Sequence, residues 1–259
     1  MRKDYHMHPT VVSSPEKVDS FIKSALSKGI QEVCFTDHMP LSVSKASDRI
    51  PNGMVGGYCR KVREIAKRYE SQIRIKCGIE IDFHNSVMPE IERVLEEGDF
   101  DFILASSHMH VFEKEYSKYT FNDFAAMALE NTIRAAETGW FNAIAHLDMY
   151  RFLFEKTVRF PLVNDGYDVF RHKALITELL DTIVNKKMYL EINPHLAESK
   201  QDIVYAYPEK TIVEWALKKN VRFSYGSDAH AADSVGAFLD ELEMHPVYGN
   251  ALKKWENEQ

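Results

Sequence analysis

Residues able to hold a metal ion close one apolar run after another along this chain. His6-Met7-His8 ends the first run, Thr36-Asp37-His38 the second, and Glu80, Asp82 and His84 alternate at the end of the third. His108 and His110 close the fourth, and His146 with Asp148 the fifth. Near the C-terminus, Val221-Arg222-Phe223-Ser224-Tyr225-Gly226 runs into Ser227-Asp228-Ala229-His230. Residues two apart on an extended chain share a face. His6 with His8, and Asp228 with His230, can therefore each offer two ligating groups to one side. Glu80 follows Gly78-Ile79 in an apolar run, where an unpaired carboxylate is costly, and its two oxygens suit a bridge between two cations. The pattern points to a polynuclear metal site built from strand ends. Gly226 removes Cβ bulk where something must come close to the backbone.

The elements that must carry these residues alternate strictly. The strands read as Lys3 to His8, Glu32 to Thr36, Ile73 to Phe83, Phe100 to Ser107, Ala143 to His146, Met188 to Asn193 and Val221 to Tyr225. Between them, apolar residues recur at helical spacing, as in Val18, Phe21, Ile22, Ala25 and Leu26, with Gly29 as a helix stop. Residues 39 to 57, rich in Pro and Gly, form the first long loop, at a strand end where substrate-facing loops belong. Strict alternation implies parallel pairing. An open doubly wound sheet concentrates its site at one switch point, whereas a barrel gathers every strand end round one mouth. The expected fold is a seven-stranded α/β barrel, and no composition break divides the 259 residues into more than one domain.

Composition sets limits. An apolar content of 45% and a charged content of 27% belong to a globular protein with an ample core. The net charge of −7 argues against a general nucleic-acid binder. Cys34, Cys59 and Cys77 show no Cys-x-x-Cys pairing, which suits a reducing cytoplasm. Neither an apolar signal region nor a run of roughly 18 apolar residues is present. These features point to a cytoplasmic protein.

The motifs His6-x-His8, Thr36-Asp37-His38, Gly78-Ile79-Glu80, Ser106-Ser107-His108, Ala145-His146 and Gly226-Ser227-Asp228-Ala229-His230 together resemble the polymerase-and-histidinol-phosphatase (PHP) superfamily. Glu191-Ile192-Asn193, Tyr207-Pro208 and Val235-Gly236 are similar to its monofunctional histidinol-phosphatase branch, and Pro194-His195-Leu196-Ala197-Glu198 departs from the loop expected there. The resemblance spans nearly the whole chain. It implies a single metal-dependent phosphoesterase domain with a distorted seven-stranded TIM-like barrel and two to three divalent cations, zinc, iron or manganese. It further implies that His6, His8, Glu80 and Asp228 hold one cation, and that Glu80, His108 and His146 hold a second. His38, His230 and His84 would hold a third. Glu80, Asp228 and His230 become the candidate catalytic residues, and the substrate a small phosphomonoester such as L-histidinol phosphate, attacked by a hydroxide shared between cations. Arg151, Arg159 and His195 are candidate substrate contacts. Asp37, Asp82 or Glu113 could meet the substrate's cationic groups. His110 is as readily a loop histidine as a site residue, while His172 and His245 read as surface histidines.

Two other enzyme readings remain open. A nuclease or nucleotide phosphoesterase of the same superfamily would need a basic track for a polymeric substrate. An amidohydrolase usually bridges its metals from strand four and carries a lone Asp on the last strand. Here the bridging candidate lies on strand three and Asp-x-His ends the last strand. A metal-stabilised module without activity is the non-enzymatic alternative.

Overall fold

Short apolar segments rich in Val, Ile, Phe and Cys are buried on both faces when strands pair in parallel between helices. The computed structural model describes residues 1–44, 46–112, 119–151 and 168–257. Glu113 and Arg159, singled out above, lie outside them. The strands are β1 (Lys3–Asp4), β2 (Glu32–Phe35), β3 (Arg74–Asp82), β4 (Phe102–Ser106), β5 (Ala143–Ile144), β6 (Tyr189–Ile192) and β7 (Arg222–Tyr225). They form one seven-stranded sheet in sequential order, and every pairing is parallel.

The sheet closes on itself. Tyr5 N–H donates to Tyr225 O (2.9 Å), Asp228 N–H to His6 O (2.7 Å) and His8 N–H to Ala229 O (2.8 Å). β1 is much shorter than the segment Lys3 to His8, because beyond Asp4 regular pairing gives way to these bonds and a single bridge at Met7. Asp4, fully buried, fastens the seam. Its Oδ1 accepts from Ser227 N–H (2.9 Å) and its Oδ2 from Gly236 N–H (3.1 Å). Burial nevertheless pushes its pKa up to about 6.

Helices cover the barrel by apolar faces, as the periodicity requires. In α1 (Val18–Ser27), Val18, Phe21, Ile22 and Ala25 are buried. α2 (Val55–Tyr69) begins earlier than expected and takes Gly56 and Gly57 into its first turn. α3 (Met88–Glu97), the single turn α4 (Met109–Phe112) and α5 (Phe121–Thr138) follow in order. Gly139, at φ +73°, ends α5 in the left-handed conformation glycine favours. The three cysteines are free and buried. His172 is a core residue rather than a surface one, with Nε2 3.2 Å from Asn122 Oδ1. Among the described residues no helix is long and apolar enough to cross a membrane.

Replacing Asp4 by Ala strands the buried N–H groups of Ser227 and Gly236 at the barrel seam, each costing about 1–3 kcal/mol, and removes a longer bond from His6 N–H (3.4 Å). Asp4→Ala is expected to lose about 2–4 kcal/mol of stability, read as a lower midpoint in urea unfolding. An unshifted midpoint would remove the carboxylate from this role.

Candidate metal centre

Glu80 sits at the centre of the barrel mouth, fully buried, with imidazoles following β1, β2, β4 and β5 around it. Its Oε2 lies 3.4 Å from His6 Nε2, 3.5 Å from His8 Nε2 and 2.8 Å from His38 Nδ1. Its Oε1 lies 3.0 Å from His146 Nε2 and 3.7 Å from His108 Nε2. Asp228 Oδ1 completes one side, 3.2 Å from His8 Nε2 and 3.6 Å from His6 Nε2. His8 stacks on His38 at 4.2 Å and approaches His230 at 4.3 Å between ring centres.

Most of these atoms lack a hydrogen-bond partner. His6 Nε2, both ring nitrogens of His8, His38 Nδ1 and Glu80 Oε2 are buried and unsatisfied. The 2.8 Å approach of His38 to Glu80 lacks the alignment of a hydrogen bond. Buried polar atoms are ordinarily paired, so lone pairs converging in this way fit a cation. Among the described residues, ligand atoms lie within 4.8 Å of one another in four groups: His6, His8 and Asp228; His6, Glu80 and His146; His8, His38 and His230; His195, Asp228 and His230. This mixed nitrogen and oxygen set suits zinc, iron or manganese better than magnesium.

Electrostatics keep the carboxylates ionised. Burial opposes the charge on Glu80, but His38, His6 and His146 together hold its carboxyl well below the usual range. Asp228 is likewise opposed by burial and held well below that range by His6, His195 and His8. His8 is shifted the other way: burial and the neighbouring His38 and His230 keep its imidazole neutral, with lone pairs available.

A further layer of carboxylates orients the rings. Glu191 of β6 places Oε1 2.7 Å from His6 Nδ1, while its Oε2 accepts from His146 N–H (2.8 Å) and Asn193 Nδ2 (3.1 Å). A proton on His6 Nδ1 then leaves Nε2 as the free lone pair that faces Glu80. Gly226 makes this contact possible, because a Cβ there would meet Glu191 Oε1 at 2.1 Å and His6 Cβ at 2.3 Å. Asp82 does the same for His108, with Oδ1 2.5 Å from its Nδ1, while Oδ2 accepts from Arg49 (2.6 Å). His146 and Asp228 both have positive φ, +25° and +56°. Their N–H groups are bonded to Glu191 Oε2 and His6 O, which holds two strained backbones in place.

Of the residues singled out from the sequence, His6, His8, His38, Glu80, His108, His146, Asp228 and His230 come together round this centre. His84 does not. The chain leaves the strand after Asp82, and His84 caps the next turn, with Nδ1 2.7 Å from Ser86 Oγ and its ring stacked on Phe112 at 4.5 Å. Arg151 is also engaged elsewhere, by Asp148 Oδ2 (2.7 Å) and Ala206 O (2.7 Å), and does not line the cavity. His195 does line it, with Nδ1 3.9 Å from Asp228 Oδ2. His110 lines it too, its pKa lowered to about 4 by burial and the adjacent His108. Asp37 accepts from Thr10 and Val11 N–H and takes no part. Glu191 and Asp4 are structural carboxylates to which motif spacing gave no role, whereas Asp82 was placed beside Glu80 by its spacing and supports a ligand. Each is an acidic residue in an apolar strand, the same signal that marked Glu80.

Carboxylates that orient ligating histidines typically change metal affinity about 10–100-fold when altered. Glu191→Gln is therefore expected to weaken zinc binding by about that factor while keeping the fold, measured by competition with a chromophoric chelator and checked by circular dichroism. Unchanged affinity would detach Glu191 from the centre.

Comparison with known proteins bears on the family and the fold. Residues 4–195 match the model of the PHP domain. The chain is 27% identical to the "Probable histidinol-phosphatase" of Deinococcus radiodurans, over 96% of this chain and 95% of that one. It is 25% identical to the histidinol-phosphatase of Bacillus subtilis, over 92% and 98%. The crystal structure of histidinol phosphate phosphatase from Lactococcus lactis, complexed with zinc, L-histidinol and phosphate, superposes with a TM-score of 0.71 at 20% identity. That superposition covers 89% of this chain and 87% of the other, and carries the barrel fold. From the matched model and the assembled motifs, the chain belongs to the PHP domain family.

Proposed function

We propose that this chain is a metal-dependent phosphomonoesterase that hydrolyses L-histidinol phosphate to L-histidinol and phosphate. The observation that carries the reading is the convergence of unsatisfied ring nitrogens from His6, His8 and His38 on a buried Glu80. Relatives named histidinol-phosphatase align over nearly the whole chain, and the Lactococcus structure holds zinc, L-histidinol and phosphate. Two to three cations, zinc, iron or manganese, suit the donor set. When bound, they supply Lewis acidity toward phosphoryl oxygens and lower the pKa of water.

The chain's own residues account for the rest. Glu80 presents Oε2 to His6, His8 and His38 and Oε1 to His146 and His108, and would hold cations on both sides. Glu191 and Asp82 hold Nδ1 of His6 and His108, so that both Nε2 atoms face inward. Asp228, kept ionised, is a ligand first. His195, beside Asp228 and His230 at the rim, is placed to give the leaving alkoxide its proton. A cavity of about 400 Å³ suits a small ester. Among its described lining residues the one guanidinium is Arg49, held by Asp82 and Met39 O, which favours a small ester over a polyanion. The reading extends to a cytoplasmic role in histidine biosynthesis, a compartment that keeps buried thiols such as Cys34 reduced.

Protein reconstituted with manganese or zinc is expected to release phosphate from L-histidinol phosphate with kcat/KM of about 10⁴ M⁻¹s⁻¹ or above. A negligible rate from fully metal-loaded protein would discard this substrate. His8→Ala and Asp228→Ala are each expected to lower turnover by about a hundredfold or more. Near-normal turnover in either variant at full metal content would show that the centre lies elsewhere.

A further inference from the structure

L-Histidinol phosphate carries its ammonium on the carbon next to the ester-bearing one. With the phosphate at the histidine cluster, that ammonium must find a carboxylate immediately beside the cluster. Among the described residues, nearly every buried carboxylate there is already engaged: Glu191 by His6, His146 and Asn193, Asp82 by His108 and Arg49, Asp37 by Thr10 and Val11, and Asp148 by Arg151 and Glu209 N–H. Glu80 and Asp228 face the cluster itself.

Asp48 is different. It stands on the loop between β2 and α2 and lines the same cavity, with Oδ2 3.9 Å from His230 Nε2. Its Oδ1 is buried with no hydrogen-bond partner, while the side chain as a whole remains 37% exposed. The loop is fixed immediately after it. Ile50 N–H donates to His38 O (2.9 Å), and Arg49 is clamped by Asp82 and Met39 O. A buried carboxylate oxygen without a donor is costly, and an ammonium brings three donors and the complementary charge. A rigid loop sets this oxygen before substrate arrives, which reduces the ordering cost of binding.

Resting on the histidinol-phosphate reading, we propose that Asp48 anchors the substrate ammonium and makes the site select phosphate esters of amino alcohols over phosphomonoesters that lack the amine. It is a specificity residue. The competing role, a further cation ligand beside His230, predicts a different outcome.

The test measures kcat/KM for L-histidinol phosphate and for its deamino analogue, 3-(imidazol-4-yl)propyl phosphate, with metal content per chain determined in parallel. Metal-loaded wild-type protein is expected to prefer the amino ester. Asp48→Asn is expected to lower that preference about tenfold or more, chiefly through KM for the amino ester, with metal content as in wild type. Asp48→Glu, which keeps the charge, is expected to retain more of the preference than Asp48→Asn. If both esters fall together in Asp48→Asn, or metal is lost from it, the assignment is overturned. A wild-type protein active on both esters without preference overturns the Asp48 assignment alone. A wild-type protein inert toward both overturns the histidinol-phosphate reading, and this assignment with it.

Discussion

A carboxylate at the centre of a protein is tolerable only if its surroundings answer its charge, and the barrel mouth is arranged around that requirement at Glu80. Its partners follow four other strands, so no local segment could satisfy it. Imidazoles surround it at close range, a crowding that the protein alone leaves unresolved at His6 Nε2, His8 and His38 Nδ1. Divalent cations would resolve it, since they accept the lone pairs and neutralise the carboxylates together.

The supporting structure serves this geometry. Parallel pairing directs all seven strand ends to one side, and the seam between β1 and β7 brings His6 and His8 against Asp228. Asp4 ties that seam from within. Glu191 couples two strand ends at once, fixing the His6 ring and the strained backbone of His146 with one carboxylate, and Gly226 gives it room. A fault in any of these would move ligands relative to one another without removing one. The outer rim, where His195, His110 and Asp48 meet solvent, is where substrate preference can vary while the centre stays the same.

Much of this was legible in the sequence because strands impose period two. His6 with His8 could be placed on a common face before any contact was known, and strict alternation of strands and helices pointed to parallel pairing; Asp228 and His230 also converge, but through a left-handed backbone at Asp228 after β7 ends at Tyr225. The same rule overreached at His84. Extending the alternation of Glu80 and Asp82 by one more step assumed that the strand continued, whereas the chain turns there and gives the ring to a helix cap. Arg151 was a reasonable phosphate contact by position alone, and Asp148, three residues earlier, takes it instead. His172 was read as exposed because one histidine on a helix does not reveal which face is covered.

The sequence by itself determined the element order, the parallel barrel and the kind of chemistry, since periodicity and residue type are local properties that survive any arrangement of neighbours. Only the tertiary structure decided which carboxylates face the centre and which hold its ligands in place. Glu80, Asp82, Glu191 and Asp4 are alike as acidic residues in apolar strands, and Asp48 is one loop residue among many. Their roles differ because of what lies within about 3 Å of each oxygen, and that depends on residues far away in the chain brought together by closure of the barrel.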